Sequence, residues 1–326
     1  MNDKMNEDDF ILSIILDAES CIEEILTLYE TDLQSPLLEF MEGGKRLRPY
    51  LLACIVRMLN GDRKIAVKLA ASIEMYHSAT LIYDDIQDNS LTRRDKPTLY
   101  SLFGTGMALS YASVLRSSMS KPFSDIQEDK YLQVSQWINH VASLLAIGQY
   151  TEMSWSYRQN FHISEETYLE MVANKTGALI GLAATFGGIA SGFPDVQKLF
   201  NIGCNLGIGY QILDDLNNID GNQSYKKDKY SDIYEKKITL LVIYIIKQSG
   251  DDEIFLRKNF TKKNLTETDV LDIANIFETS GAINYCRKIA AGYIQQSINA
   301  LNDLELTDPK FTHIFVNNIK EVFGNS

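Results

Sequence analysis

The chain has 326 residues, 45% of them hydrophobic, and a formal net charge of −12. That is enough apolar material for a large core in one or two domains, and the acidity argues against a nucleic-acid binder, which needs a basic face. The cysteines (Cys21, Cys54, Cys204, Cys286) form no CxxC pair and the histidines do not cluster, which points to reduced, mostly buried thiols rather than a zinc site or a disulfide framework.

The N-terminus, Met1 to Asp9, is acidic and lacks a signal-peptide pattern, so a cytoplasmic protein is expected. Prolines are few and 3.6-residue periods dominate, which predicts an all-α fold. Ile11, Ile14, Ile15 and Ala18 share one helical face, continued by Ile22, Ile25 and Leu26. Gly43-Gly-Lys-Arg-Leu-Arg-Pro49 combines close backbone approach with cations, and suits a phosphate as well as it suits a solvated basic turn. A helix through this motif would place Lys45 and Arg48 on one face. His77, taken by itself, reads as a satisfied core histidine rather than a ligand.

Leu81-Ile-Tyr-Asp-Asp-Ile-Gln-Asp88 follows, then the pair Arg93 and Arg94. Asp84 and Asp88 are one helical turn apart. Two carboxylates so placed repel unless a cation lies between them, and oxygen-only ligation favours Mg²⁺ shared with substrate phosphates. Ser164 before Glu165 and Glu166 marks a helix start. The segment from Thr176 to Pro194 has no charged residue, but its Gly and Ala content reads as a buried helix rather than a membrane span, ended by Gly192 and followed by a start at Pro194-Asp195. Gln211-Ile-Leu-Asp-Asp-Leu-Asn-Asn218 echoes the first motif, with Asp214 and Asn218 again four apart. Either pair alone suits a solvated helix face. Two pairs that each end an apolar run, facing across a bundle, would suit several Mg²⁺ ions around one polyanion. Asn217 to Glu235 and Gly250 to Asp269 read as polar connectors, the first a candidate lid. Thr307-Asp308-Pro309 reads as a last helix start. No composition break divides the chain, so a single domain over 1–326 is expected.

Taken together, these motifs resemble those of trans-isoprenyl diphosphate synthases, the head-to-tail prenyltransferases. Matching pieces are Gly43 to Pro49, Glu74-Met-Tyr-His77, Asp84 to Asp88 with Arg93-Arg94, Gly148-Gln149, Lys175-Thr176, Gly209 to Asp215, and Asp232 with Lys237-Ile-Thr239. The resemblance implies a helical bundle with a central cavity, usually homodimeric, and about three Mg²⁺ ions bridging carboxylates and substrate diphosphate. It assigns Lys45, Arg48, His77 and Arg94 to the diphosphate of isopentenyl diphosphate. Arg93, Lys175 and Lys237 fall to the allylic diphosphate, with Lys227 a looser match. Asp84, Asp88 and Asp214 become Mg²⁺ ligands, Asp85, Asp215 and Asn218 further candidates, and Thr176 and Gln211 polar groups near the developing carbocation. The helix before Asp84 becomes the wall that limits product length. Ala79 and Thr80 are too small to stop the chain and Tyr76 is large enough, which favours geranylgeranyl diphosphate or a somewhat longer product.

Six positions depart from the family pattern: Tyr83 for His, Asp95 for Gly, Ala112-Ser113 for Gly-Asp, Asn218 for Asp and Lys236 for Gly. Asn218 has a counterpart in geranylgeranyl diphosphate synthases of the eukaryotic type. Two other functions remain compatible with this resemblance. One is a terpene cyclase or a prenyltransferase with another acceptor, against which the Lys45, Arg48, His77 and Arg94 set speaks. The other is a non-catalytic subunit that tunes a partner synthase, against which the retained Asp84, Asp88 and Asp214 speak.

Overall fold

The computed structural model describes residues 7–158, 160–220 and 229–304. Lys227, the middle of the expected lid and the helix start at Thr307 to Pro309 lie outside the described residues. Within them the fold is all-α. The sole strands there are a two-residue antiparallel pair, β1 (Thr92–Arg93) and β2 (Lys96–Pro97). The chain forms two compact units. One comprises 7–139, 179–203 and Leu304, the other 140–158, 160–178, 204–220 and 229–303.

In the first unit, α4 (Arg63–Gln87) is the central helix. It is packed by α1 (Glu7–Leu26), α3 (Leu47–Met58) and α5 (Leu99–Ser118), with α2 (Thr31–Met41) beside α1 and α5. Ala70, Ala71 and Ser72 let neighbours approach closely, and Leu69, Ile73, Met75 and Ile82 fill the space around them. Full burial of one such aliphatic side chain contributes about 2 kcal/mol. The predicted stripe of α1 is buried at Ile11, Ile14, Ala18, Ile22, Ile25 and Leu26, while Ile15 sits at its edge. α4 starts at Asp62, whose carboxylate accepts the N–H groups of Lys64 and Ile65.

Between α6 (Glu128–Arg158) and α9 (Val196–Asp220) runs the uncharged segment. It is the end of a π-helical turn (Ala173–Gly177) and α8 (Ala178–Ser191), which continue α7 (Glu165–Val172) as one helical stretch. Its ends follow the sequence. Ser164 Oγ accepts from the N–H of Thr167, Gly192 closes α8 at φ +66°, and Asp195 accepts the N–H of Lys198 at the head of α9. No helix among the described residues is long and apolar enough to cross a membrane.

In the second unit α11 (Leu240–Gln248), buried at Leu240, Leu241, Val242, Ile243 and Ile245, packs against α7, α12 (Asp251–Phe260) and α14 (Ala282–Asn302). α10 (Ser231–Tyr234) and α12 both pack on α13 (Glu267–Thr279). Two expectations are corrected here. Asn217 to Asp220 are the last turn of α9 rather than a connector, because Leu216 and Ile219 carry the apolar stripe onward. Half of Gly250 to Asp269 is α12, which three acidic residues in its first turn and Arg257 and Lys258 in its last stabilise against the helix dipole.

Candidate active site

In the first unit the site is built on the C-terminal end of α4. The N–H of Asp88 bonds the carbonyl of Asp84 at 2.8 Å, so the two carboxylates share one face as their spacing predicts. Both are partly exposed. Asp85 lies behind them and is 1% exposed. Its Oδ1 accepts from Nε and Nη2 of Arg93, each at 2.8 Å, and its Oδ2 is buried without a hydrogen-bond partner. Burial raises the Asp85 pKa, against the opposing pull of Arg93.

Arg93 ends β1, and the reversal into β2 runs through Arg94 and Asp95, both left-handed (φ 54° and 61°). Two such residues make the tight hairpin turn that fits strand twist. Arg94 donates to the carbonyl of Glu42 at 2.9 Å, and Lys96 pairs with the Glu42 carboxylate at 2.8 Å. The two arginines are therefore aimed differently, Arg93 at α4 and Arg94 at the end of α2.

His77 is seven residues, nearly two turns, before Asp84 on α4. Its Nδ1 is buried without a hydrogen-bond partner. Burial, then the guanidinium groups of Arg48, Arg93, Arg94 and Arg46, hold its pKa well below the ordinary histidine value. A neutral imidazole among four arginines is a place for an anion.

The basic turn differs from the expectation. α3 begins at Leu47 and Arg46 is its left-handed N-cap (φ 51°), so Lys45 precedes the helix and shares no helical face with Arg48. Gly43 is also left-handed at φ +72°. A Cβ on Gly44 would lie 2.5 Å from Nη1 of Arg46 and would require that guanidinium to shift.

In the second unit Lys175 and Thr176 lie in the π-turn, a deformation often found where a helix carries function. Gly148 on α6 allows this: a Cβ there would stand 2.5 Å from the backbone N of Lys175. Lys175 pairs with Glu152, also on α6. Thr176 Oγ1 donates to Oε1 of Gln211 at 2.7 Å, and Gln211 Nε2 donates to Oδ1 of Asp215 at 2.8 Å. Tyr168 Oη donates to Oδ2 of Asp215 at 2.9 Å. Burial, then the charges of Asp232 and Asp214, push Asp215 up to about 7, although the bonds from Gln211 and Tyr168 oppose the rise.

Asn218 is buried, with Nδ2 donating to Ser231 Oγ at 2.8 Å and Oδ1 accepting the N–H of Asp232 at 3.1 Å. Asp232 in turn lies 3.6 Å from Nζ of Lys237, which pairs more closely with Glu235 at 2.6 Å. Tyr168, Glu152 and Asp232 thus complete the second unit's polar network. Asp232 is already among the motif pieces, whereas for Tyr168 and Glu152 the one sequence signal is the four-residue step from Gly148 to Glu152, which puts both on one face of α6.

Among the described residues no group of three or more His, Cys, Asp or Glu side chains encloses a metal by itself. The first unit offers the paired carboxylates of Asp84 and Asp88, and the second the carboxylate of Asp214. This fits Mg²⁺, which takes one or two carboxylates, keeps waters and completes its shell with substrate phosphates. The orphaned Oδ2 of buried Asp85 adds a further oxygen beside the first pair.

A family model described as Polyprenyl synthetase matches residues 30–277. The chain is 34% identical over 293 residues to the geranylgeranyl pyrophosphate synthase of Geoglobus acetivorans, covering 88% of this chain and 89% of that one. It is 33% identical over 276 residues to the geranylfarnesyl diphosphate synthase of Aeropyrum pernix, covering 82% and 85%. The solved geranylgeranyl pyrophosphate synthetase from G. acetivorans superposes with a TM-score of 0.84 at 28% identity, over 96% of this chain and 99% of that one. The chain belongs to the polyprenyl synthetase family and is an enzyme of its class, a trans-isoprenyl diphosphate synthase that joins prenyl units head to tail.

Proposed function

We propose that the chain elongates an allylic diphosphate (dimethylallyl, geranyl or farnesyl) with isopentenyl diphosphate, as one catalytic domain, and releases geranylgeranyl diphosphate or a somewhat longer product. The observation that carries the two-substrate reading is His77, half-buried with its Nδ1 enclosed and without a hydrogen-bond partner, in the field of Arg48, Arg93 and Arg94. A cyclase, with one diphosphate to hold, has no use for it. Lys45, Arg48, His77 and Arg94 hold isopentenyl diphosphate. Arg93, Lys175 and Lys237 hold the allylic diphosphate, with Lys227 beside them.

Asp84, Asp88 and Asp214 are the proposed Mg²⁺ ligands, about three ions in all. Asp85, Asp215 and Asn218 stand behind them, since each is engaged inside the protein. Bound Mg²⁺ would offset the charge of the departing diphosphate. The chain's own cations share that work, in surroundings where apolar walls keep water from the allylic cation. Thr176 and Gln211 present oxygen atoms to it. The proton lost after addition goes to the released diphosphate, so no side-chain base is required.

Tyr76, 4% exposed on α4, is the proposed floor, with Ala79 and Thr80 between it and the aspartates. The relatives named for geranylgeranyl and geranylfarnesyl products support the proposed product length. We also read the protein as a cytoplasmic homodimer. α5 carries no charge from Leu99 to Leu115, yet exposes Leu102, Phe103, Met107 and Leu109, a surface suited to a second copy. The cysteines are free, as in a reducing compartment.

The two-substrate reading is tested by crossing substrates against variants. Arg48→Ala should raise KM for isopentenyl diphosphate and Lys175→Ala KM for the allylic substrate, each by about tenfold or more. Equal effects of both variants on both substrates would sink the assignment.

A further inference from the structure

Three cations lie within four residues of the basic turn, and one of them is turned inward. Arg46 Nε donates to Glu19 of α1 at 2.7 Å, Nη1 to Glu74 of α4 at 2.9 Å, and Nη2 to the carbonyl of Met41 at the end of α2 at 2.8 Å. One guanidinium thus ties three helices to the start of a fourth. The Arg46 side chain is 14% exposed and that of Glu74 5%. A buried carboxylate of this kind is costly unless its partner is fixed in place. Glu74 is three residues before His77 on α4, so the clamp lies one turn along from the anion-binding histidine.

The backbone agrees. A left-handed arginine is unfavourable by about 1 kcal/mol and persists where its surroundings over-determine it. Here that conformation sends Arg46 back into the protein, with Lys45 and Arg48 on either side of it in the turn. Gly44 completes the device, since a Cβ would collide with the Arg46 guanidinium at 2.5 Å. Two carboxylates already balance the Arg46 charge, which makes it a poor ligand for a diphosphate.

We infer that Arg46 is a positioning residue: clamped by Glu74, Glu19 and Met41, it fixes the turn from which Lys45 and Arg48 reach the isopentenyl diphosphate. The inference rests on the reading that this turn holds that diphosphate. The sign of one substitution separates it from direct contact. Glu74→Gln removes a negative charge near an anion site. If Arg46 touched the diphosphate, that change would leave binding unaltered or tighten it. If Arg46 positions the turn, the change loosens the clamp and weakens binding.

The test is isothermal titration with isopentenyl diphosphate alone, with steady-state KM and kcat for both substrates, on Glu74→Gln, Arg46→Lys and Lys45→Ala. Expected are an isopentenyl diphosphate Kd and KM raised by about tenfold in Glu74→Gln and at least as much in Arg46→Lys, whose ammonium cannot serve three acceptors in a plane. The allylic KM and kcat should stay within about twofold of the parent, since the clamp touches neither. Should Arg46→Lys fail to fold, Glu74→Gln, which keeps Arg46 and its other two bonds, decides alone. Unchanged or tighter binding in Glu74→Gln overturns the inference, as does an equal loss in every kinetic parameter. Unchanged binding in Lys45→Ala instead overturns the assignment of Lys45 in the underlying reading, whatever the clamp variants do.

Discussion

Asn218 Oδ1 accepts the backbone N–H of Asp232 at 3.1 Å, so the residue that ends the second motif anchors another carboxylate. Its Nδ2 donates to Ser231 Oγ, at the start of the same helix as Asp232, α10. Asn218→Ala should leave the Asp232 N–H without its acceptor, lower stability by about 1–3 kcal/mol, and reduce kcat as Asp232 and Lys237 shift. Denaturant melts and rates across a Mg²⁺ titration check this. Rescue at high Mg²⁺ would mean that Asn218 acts as a ligand instead.

Gly148 and Lys175 make a second close relationship. A methyl group at Gly148 has no room beside the π-turn. Gly148→Ala should cost about 1–3 kcal/mol by overpacking, and raise the allylic KM through displacement of Lys175. Wild-type kinetics and stability in that variant would show that the turn yields freely.

The cap of α13 predicts a pH dependence. Thr266 and Asp269 bond each other's backbone N–H groups, and Lys262 pairs with Asp269 at 2.7 Å. The Lys262 bond, then those from Thr266, lower Asp269 to about 2. A depressed carboxylate stabilises the folded state above its unfolded pKa of about 4, and that contribution fades as pH falls through about 2. Urea midpoints of the parent and Asp269→Asn should therefore differ most above pH about 4 and converge below it. Thr266→Ala should cost about 1 kcal/mol. A difference that grew on acidification would contradict the cap.

Tyr76→Ala should lengthen the product by at least one isoprene unit, since a helical turn is about 5.4 Å. Mass analysis of the products reads the outcome. Unchanged length would remove Tyr76 as the floor.

Much of the fold was legible because its signals are local. Asp84 and Asp88 are four residues apart on a helix, Gly192 ends α8, and Ser164 starts α7. Other features depend on contacts distant in sequence. Lys45, Arg46 and Arg48 read as three equal cations until Glu19 and Glu74, 27 and 28 residues from Arg46, turn one of them inward. The π-turn depends on the packing of α6, which no local pattern reports. Two departures from the family pattern also gain a physical meaning. Asp95 and Lys236 replace glycines at left-handed positions (φ 61° and 56°), and Lys236 donates to the carbonyls of Lys262 and Lys263. The backbone keeps the glycine conformation with side chains that tolerate it.

The most direct measurement of the central claim is the product formed by purified protein with Mg²⁺, labelled isopentenyl diphosphate and each allylic primer in turn. The account predicts a linear all-trans geranylgeranyl diphosphate, or a product slightly longer, with at least one primer and no added protein. No elongation by folded protein, a cyclic hydrocarbon, or activity that appears only with a partner subunit would contradict it.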